Sequence, residues 1–136
     1  MEILITDDRL ISDIQKEFST EYPFLKIEFF RNFHKSGEPS AKLQLISKTL
    51  ALGQVRSVHT EGMVDLNGGR SVEEIEKEFQ SKYGLSVQVF RKSGNVWIET
   101  SLTDHWSLIR QNYQGQQLDR LNFKPDKEEI DYREMD

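Results

Sequence analysis

Two stretches of this chain, about sixty positions apart, carry matching side chains in the same order, so a fold must give both the same local shape. Ile11, Ile14, Phe18 and Tyr22 align with Val72, Ile75, Phe79 and Tyr83, and Leu25, Ile27, Phe30 and Arg31 align with Leu85, Val87, Phe90 and Arg91. The offset is 61 through the first set and 60 through the second. One residue is lost at the turn, where Pro23-Phe24 faces Gly84. A periodicity of this kind precedes every other reading of a sequence, because it fixes the building unit.

Each unit reads as strand, helix, turn, strand. Apolar positions at i, i+3, i+7 and i+11 lie on one face of an α-helix. Ser71 with Glu74 forms a capping-box pattern for the second helix, and Asp7 or Asp8 is the expected cap of the first. Gly84 suits a left-handed helix stop, and Pro23 ends its helix for want of an amide hydrogen. The segments Glu2–Thr6 and Gly62–Leu66 read as short strands ahead of the helices. Leu25/Ile27/Phe29 and Leu85/Val87/Val89 alternate as half-buried strands do. Ser93-Gly94-Asn95 is a turn signal, after which Val96–Thr100 reads as a hairpin partner. Asp104–Asn112 reads as a short helix capped by Thr103 or Asp104, with Leu50–Arg56 as its degenerate counterpart in the first unit.

The expected class is α+β. Right-handed crossovers make the two strands of each unit parallel. Interleaving two duplicated β-α-β units predicts one ferredoxin-like sheet with helices on one face, plus an extra hairpin strand and a C-terminal helix. Two small beads in series are the competing arrangement. The expected organisation is one domain over 1–123, built of units at about 1–56 and 58–114, followed by an acidic, mobile tail over 124–136.

The run Tyr83–Thr100, together with Asp104-His-Trp-Ser-Leu108 and the helix before it, resembles a family of small bacterial α/β proteins of unknown function, mainly over residues 58–115. The resemblance implies a bacterial, intracellular context and carries over no site residue.

Charge and composition restrict function by exclusion. The absence of cysteine removes disulfides, thiolate metal sites and cysteine nucleophiles. No apolar run reaches the ~18 residues of a membrane span, and no leader pattern opens the chain, so a cytoplasmic location is expected. The net charge is −5, with a basic stretch over 24–56 that holds six cations against Glu28 and Glu38. An acidic chain with one basic stretch argues against general nucleic-acid binding, which needs concentrated positive potential.

His34, His59 and His105 are scattered and show no metal-ligand spacing. Asp104-His105 beside Ser101 or Ser107 evokes a catalytic dyad, but adjacent residues on a helix point apart. No catalytic, cofactor or metal site is therefore expected, and the chain is read as no enzyme.

Two surfaces stand out. Strict alternation sends Phe30 and Phe90 to the sheet face away from the helices, with Arg31 and Arg91 at its rim and Trp97 joining from the hairpin. Such a face serves a protein or self interface, stacks single-stranded RNA, or is covered by the terminal helix through Trp106, Leu108 and Ile109. Secondly, Lys35-Ser36-Gly37 and Lys92-Ser93-Gly94 follow the two Phe-Arg strand ends and form a candidate anion site, with inherited polar turns as the plainer reading. The expected function is a small protein-interaction or scaffolding module with an unidentified partner or a homodimer. The alternative is nucleic-acid or anionic-ligand binding through the basic loops and the aromatic face.

Overall fold

Among the described residues the alternating and helical apolar patterns are realised as two small sheets and three α-helices. The computed structural model describes residues 1–31 and 44–122. In chain order the elements are β1 (Glu2–Ile5), α1 (Ile11–Glu21), β2 (Leu25–Phe30), β3 (Gly62–Asp65), α2 (Val72–Tyr83), β4 (Ser86–Ser93), β5 (Val96–Glu99) and α3 (Leu108–Asn122), with short 3-10 turns at Leu52–Gln54 and Ser101–Thr103.

The class is α+β, but the strands do not join into one ferredoxin-like sheet. That sheet runs β4-β1-β3-β2, so besides the β1–β3 pair it needs β1 beside β4 and β2 beside β3. Among the described residues only the β1–β3 pair is present, and β2, β4 and β5 form a separate three-stranded sheet, all antiparallel. The two strands flanking each helix do not pair with one another. Each of the four strands β1 to β4 takes as a neighbour the strand at the matching place in the other half. Ile3 lies opposite Val64, and Glu28 opposite Gln88; these are the positions 61 and 60 apart in the sequence.

The contacts around the helices recur in the second half, those of the helix arginines at the same spacing of 61 and those of the following segment at a shorter one. Arg9 reaches the Leu4 carbonyl at 2.9 Å and bridges to Glu17, while Arg70 reaches the Asp65 carbonyl at 3.0 Å and bridges to Glu78 at 2.7 Å. Leu10 bridges Ala51, and Ser71 bridges Ser107. Leu52 donates its amide to the Arg9 carbonyl as Leu108 does to that of Arg70. Phe30 bridges Leu45 as Phe90 pairs Glu99.

Helix ends explain two departures from the expected boundaries. Neither Asp7 nor Asp8 caps α1. Its first amides, from Ile11 and Ser12, donate to the Leu50 and Lys48 carbonyls at 2.9 and 3.0 Å, while Asp8 accepts from the Thr6 hydroxyl. Satisfying orphan amides with another backbone segment removes the need for a side-chain cap. The last helix begins at Leu108 rather than Asp104 and runs through Gly115 to Asn122. Asp104 is otherwise engaged, its carbonyl accepting from the Glu73 amide of α2 at 2.8 Å. At α2 the Ser71 hydroxyl accepts the Glu74 amide at 3.1 Å, and Gly84 stops the helix at φ 66°, as the sequence predicts. The segment 50–56 forms only the 3-10 turn.

One apolar core runs through both sheets and all three helices. It gathers Ile3, Ile5 and Val64 from the small sheet, Ile14, Phe18, Ile75 and Phe79 from α1 and α2, and Leu25, Ile27, Phe29, Val87 and Val89 from the large one, with Leu108 from α3. Phe29 and Phe79 meet edge-on with centroids 6.1 Å apart. Burial of each such side chain stabilises by roughly 1.5–3 kcal/mol.

Helix α3 lies close on the large sheet at Gly115. A Cβ there meets Phe24 Cβ at 2.9 Å and the Phe24 carbonyl at 3.2 Å. The alanine variant Gly115→Ala is therefore expected to lose about 1–3 kcal/mol despite alanine's higher helix propensity, because overpacking outweighs it. Urea denaturation measures this; a variant at least as stable as the parent contradicts the close approach.

Candidate interaction surface

Register decides which of the expected surface residues meet. Cross-strand partners share a face, and Phe90 lies opposite Lys26 and Glu99, while Trp97 lies opposite Lys92. Phe30, Phe90 and Trp97 therefore do share the face away from Leu25, Ile27 and Phe29. They do not form one aromatic patch. Phe30 is buried and sits four residues along β2 from the partner of Phe90, a separation of roughly 13 Å at strand rise. Phe90 and Trp97 instead share one cation: the Lys26 ammonium lies 5.5 and 5.1 Å from their ring centroids and 3.4 Å from Glu28.

Arg91 is not at the rim of that face. It lies opposite Leu25 on the helix side of β4, and its guanidinium donates to Gln111 Oε1 at 2.7 Å under α3. Desolvation by burial lowers its pKa. The covering role assigned to Trp106, Leu108 and Ile109 fails for the same reason. Leu108 enters the core, Ile109 is 63% exposed, and Trp106 packs against Arg91 and Arg110. Arg31 is exposed, its amide donating to the Gln44 carbonyl at 2.9 Å.

Of the two basic turns of the candidate anion site, only the second lies among the described residues. Lys35, Ser36 and Gly37, and His34 beside them, lie outside the described residues, as does the expected tail over 124–136. Gly94 takes φ 63° in the two-residue turn between β4 and β5, but it is buried. Lys92 pairs with Asp119 of α3 at 3.8 Å, and its amide donates to the Phe24 carbonyl.

The hairpin edge is the most accessible apolar feature of the large sheet. β5 pairs with β4 on one side and with no strand on the other among the described residues. Val96, Trp97 and Ile98 are 57%, 38% and 36% exposed, so apolar side chains project on both faces of this edge strand. The turn fixes Ser93 and Val96 as a hydrogen-bonded pair, and ladder alternation then aims the amides and carbonyls of Trp97 and Glu99 away from β4. The Thr100 amide, donating to the Val89 carbonyl at 3.3 Å, keeps that phase. Edge strands of this kind are usually blunted by charge, proline or a bulge. Val96 and Ile98 were legible from the alternation of the hairpin strand; Lys26 was not, because its approach depends on register.

Two polar clusters flank the fold. Asp7 binds the fully buried side chain of Arg56 through Oδ1, at 3.0 Å from Nε and 2.8 Å from Nη2, and His59 Nδ1 at 2.7 Å through Oδ2. Desolvation opposes its ionisation, but the hydrogen bonds from Arg56 and His59 hold its carboxyl below the usual range. Glu76 of α2 reaches the Val89 amide at 2.9 Å; burial, reinforced by Asp104, Glu99 and Glu73, pushes its pKa up to about 8.

Comparison with known proteins finds no matching family model, curated protein or solved structure. No helix among the described residues is long and apolar enough to cross a membrane.

Proposed function

We propose that this chain is a non-catalytic protein-interaction module that self-associates by adding the β5 edge of one copy to that of another. The observation that carries this reading is the edge of β5 that pairs with no strand among the described residues, where Val96, Trp97 and Ile98 are exposed. A two-fold axis perpendicular to the sheet preserves its faces, so residues of like parity meet. Placing Ile98 against its own counterpart sets Glu99 of one copy beside Trp97 of the other, where Lys26 already lies over the ring. Charge complementarity thus favours a second copy as the occupant.

The contacts that recur 61 and 60 positions apart support reading the chain as two copies of one β-α-β unit joined about an internal dyad. The nucleic-acid alternative draws less support, since Lys26 occupies the rings a base would stack upon and Lys92 is paired with Asp119.

Sedimentation equilibrium of the full chain up to millimolar concentration is expected to give a dimer, and Ile98→Lys a monomer with unchanged circular dichroism. A monomeric mass throughout, or a dimer indifferent to Ile98→Lys, overturns the proposal.

A further inference from the structure

Beneath α3, on the side of the sheet opposite the Lys26 rings, two arginines converge on one indole. The Arg91 Cζ lies 5.5 Å from the Trp106 ring centroid and the Arg110 Cζ 3.9 Å from it. Among the described residues neither guanidinium has a carboxylate within salt-bridge distance, although the chain is acidic overall. Arg91 has one neutral acceptor, Gln111 Oε1, and its Nε is sealed from solvent with no acceptor at all. An orphaned buried donor on a charged group is costly and leaves the guanidinium charge uncompensated, and like charges over one ring repel; an anion at the terminal guanidinium nitrogens offsets both charges.

The surroundings are built to hold the arginine rather than to neutralise it. Gln111 is fully buried and locked by two donations from its Nε2, to the Thr103 carbonyl at 2.7 Å and to Thr103 Oγ1 at 3.0 Å. That fixes Oε1 toward Arg91. Gly115 passes 3.2 Å from the Arg91 Cγ at the position of its missing Cβ, closing the stem from above. Arg110 is exposed on the first turn of α3, so its guanidinium is the entrance side of the cluster. The geometry points to an oxyanion-binding site at Arg91, Arg110 and Trp106 that takes a phosphate or carboxylate group, with the two guanidinium forks donating to its oxygens and the indole as a wall. The site is separate from the β5 edge and does not depend on it.

The test follows the Trp106 indole N–H resonance of the full chain while inorganic phosphate, and in a parallel arm acetate, is added against sodium chloride of equal ionic strength. A saturable shift specific to either anion is expected. Phosphate alone identifies a phosphorylated ligand, and acetate a carboxylate such as an acidic side chain or chain terminus. Arg110→Gln is expected to weaken the response at least about tenfold, as loss of one charge-assisted hydrogen bond does. Arg110→Lys should restore part of it, and Arg120→Gln, at the far end of α3, should leave it intact. No shift beyond that of sodium chloride, or an unaltered response in Arg110→Gln, overturns the assignment.

Discussion

Replacing Arg56 by leucine is expected to lower the melting temperature by roughly 10 °C, corresponding to about 3 kcal/mol for a chain of this size. The side chain is fully buried, and its bonds to Asp7 and Tyr83 tie distant parts of the chain together. Nη1 donates to the Tyr83 carbonyl at 3.0 Å, the last carbonyl of α2, while Nε and Nη2 hold Asp7 between β1 and α1. Leucine fills most of the volume but leaves the Tyr83 carbonyl without that donor and Asp7 with His59 alone. A buried acceptor stripped of its donor costs more than the intact bond contributes. The variant should also change the acid limb. Asp7 has a folded pKa below its ordinary 3.8, so its pairing stabilises above that value and is lost as pH falls through the lowered one. In Arg56→Leu that extra acid sensitivity should shrink. Differential scanning calorimetry between pH 2 and pH 7 checks both effects, and a melting temperature within 2–3 °C of the parent, under about 1 kcal/mol, refutes the first.

The second large effect runs in the opposite direction. Glu76→Gln is expected to stabilise the protein at alkaline pH, by roughly 3–5 kcal/mol at about 1.4 kcal/mol per pKa unit. The folded state holds the Glu76 proton up to a pKa of about 8, against an ordinary value of 4.5. Below 4.5 both folded and unfolded states carry the proton and the group is neutral in its effect. Between 4.5 and 8 only the folded state binds it, so stability falls as pH rises; above 8 the full penalty is present. Glutamine keeps an oxygen for the Val89 amide and carries no charge toward Asp104, Glu99 and Glu73. Chemical denaturation at pH 4 and pH 9 should show a variant close to the parent in acid and markedly more stable in base. Equal stabilities at pH 9 refute this.

The sequence made the local shapes readable and left the pairing hidden. Ile11 to Tyr22 and Val72 to Tyr83 announced their helices because a helix face is a property of one segment. Gly84 and the Ser93-Gly94-Asn95 turn did so for the same reason. Alternation also names the two faces of a strand, and it placed Phe90 and Trp97 together. Carried one residue further, it puts Arg91 beside Val87 and Val89 on the helix side, but a long charged side chain at a strand end reads as rim. Which strands become neighbours depends on the crossing of segments far apart, so β2 beside β4 had no local sign. Arg56 had none either. An arginine between two elements looks solvated until a helix end closes over it. The late start of α3 reflects competition: the backbone of Asp104 serves α2 and leaves its own helix to begin four residues on.

The helix ends are finished crosswise. Arg56, before β3, completes the end of α2, and Asn112 in α3 accepts the Phe24 amide just beyond α1 at 2.8 Å. During synthesis, the exit of the first helix therefore stays incomplete until a residue 88 positions later has left the ribosome.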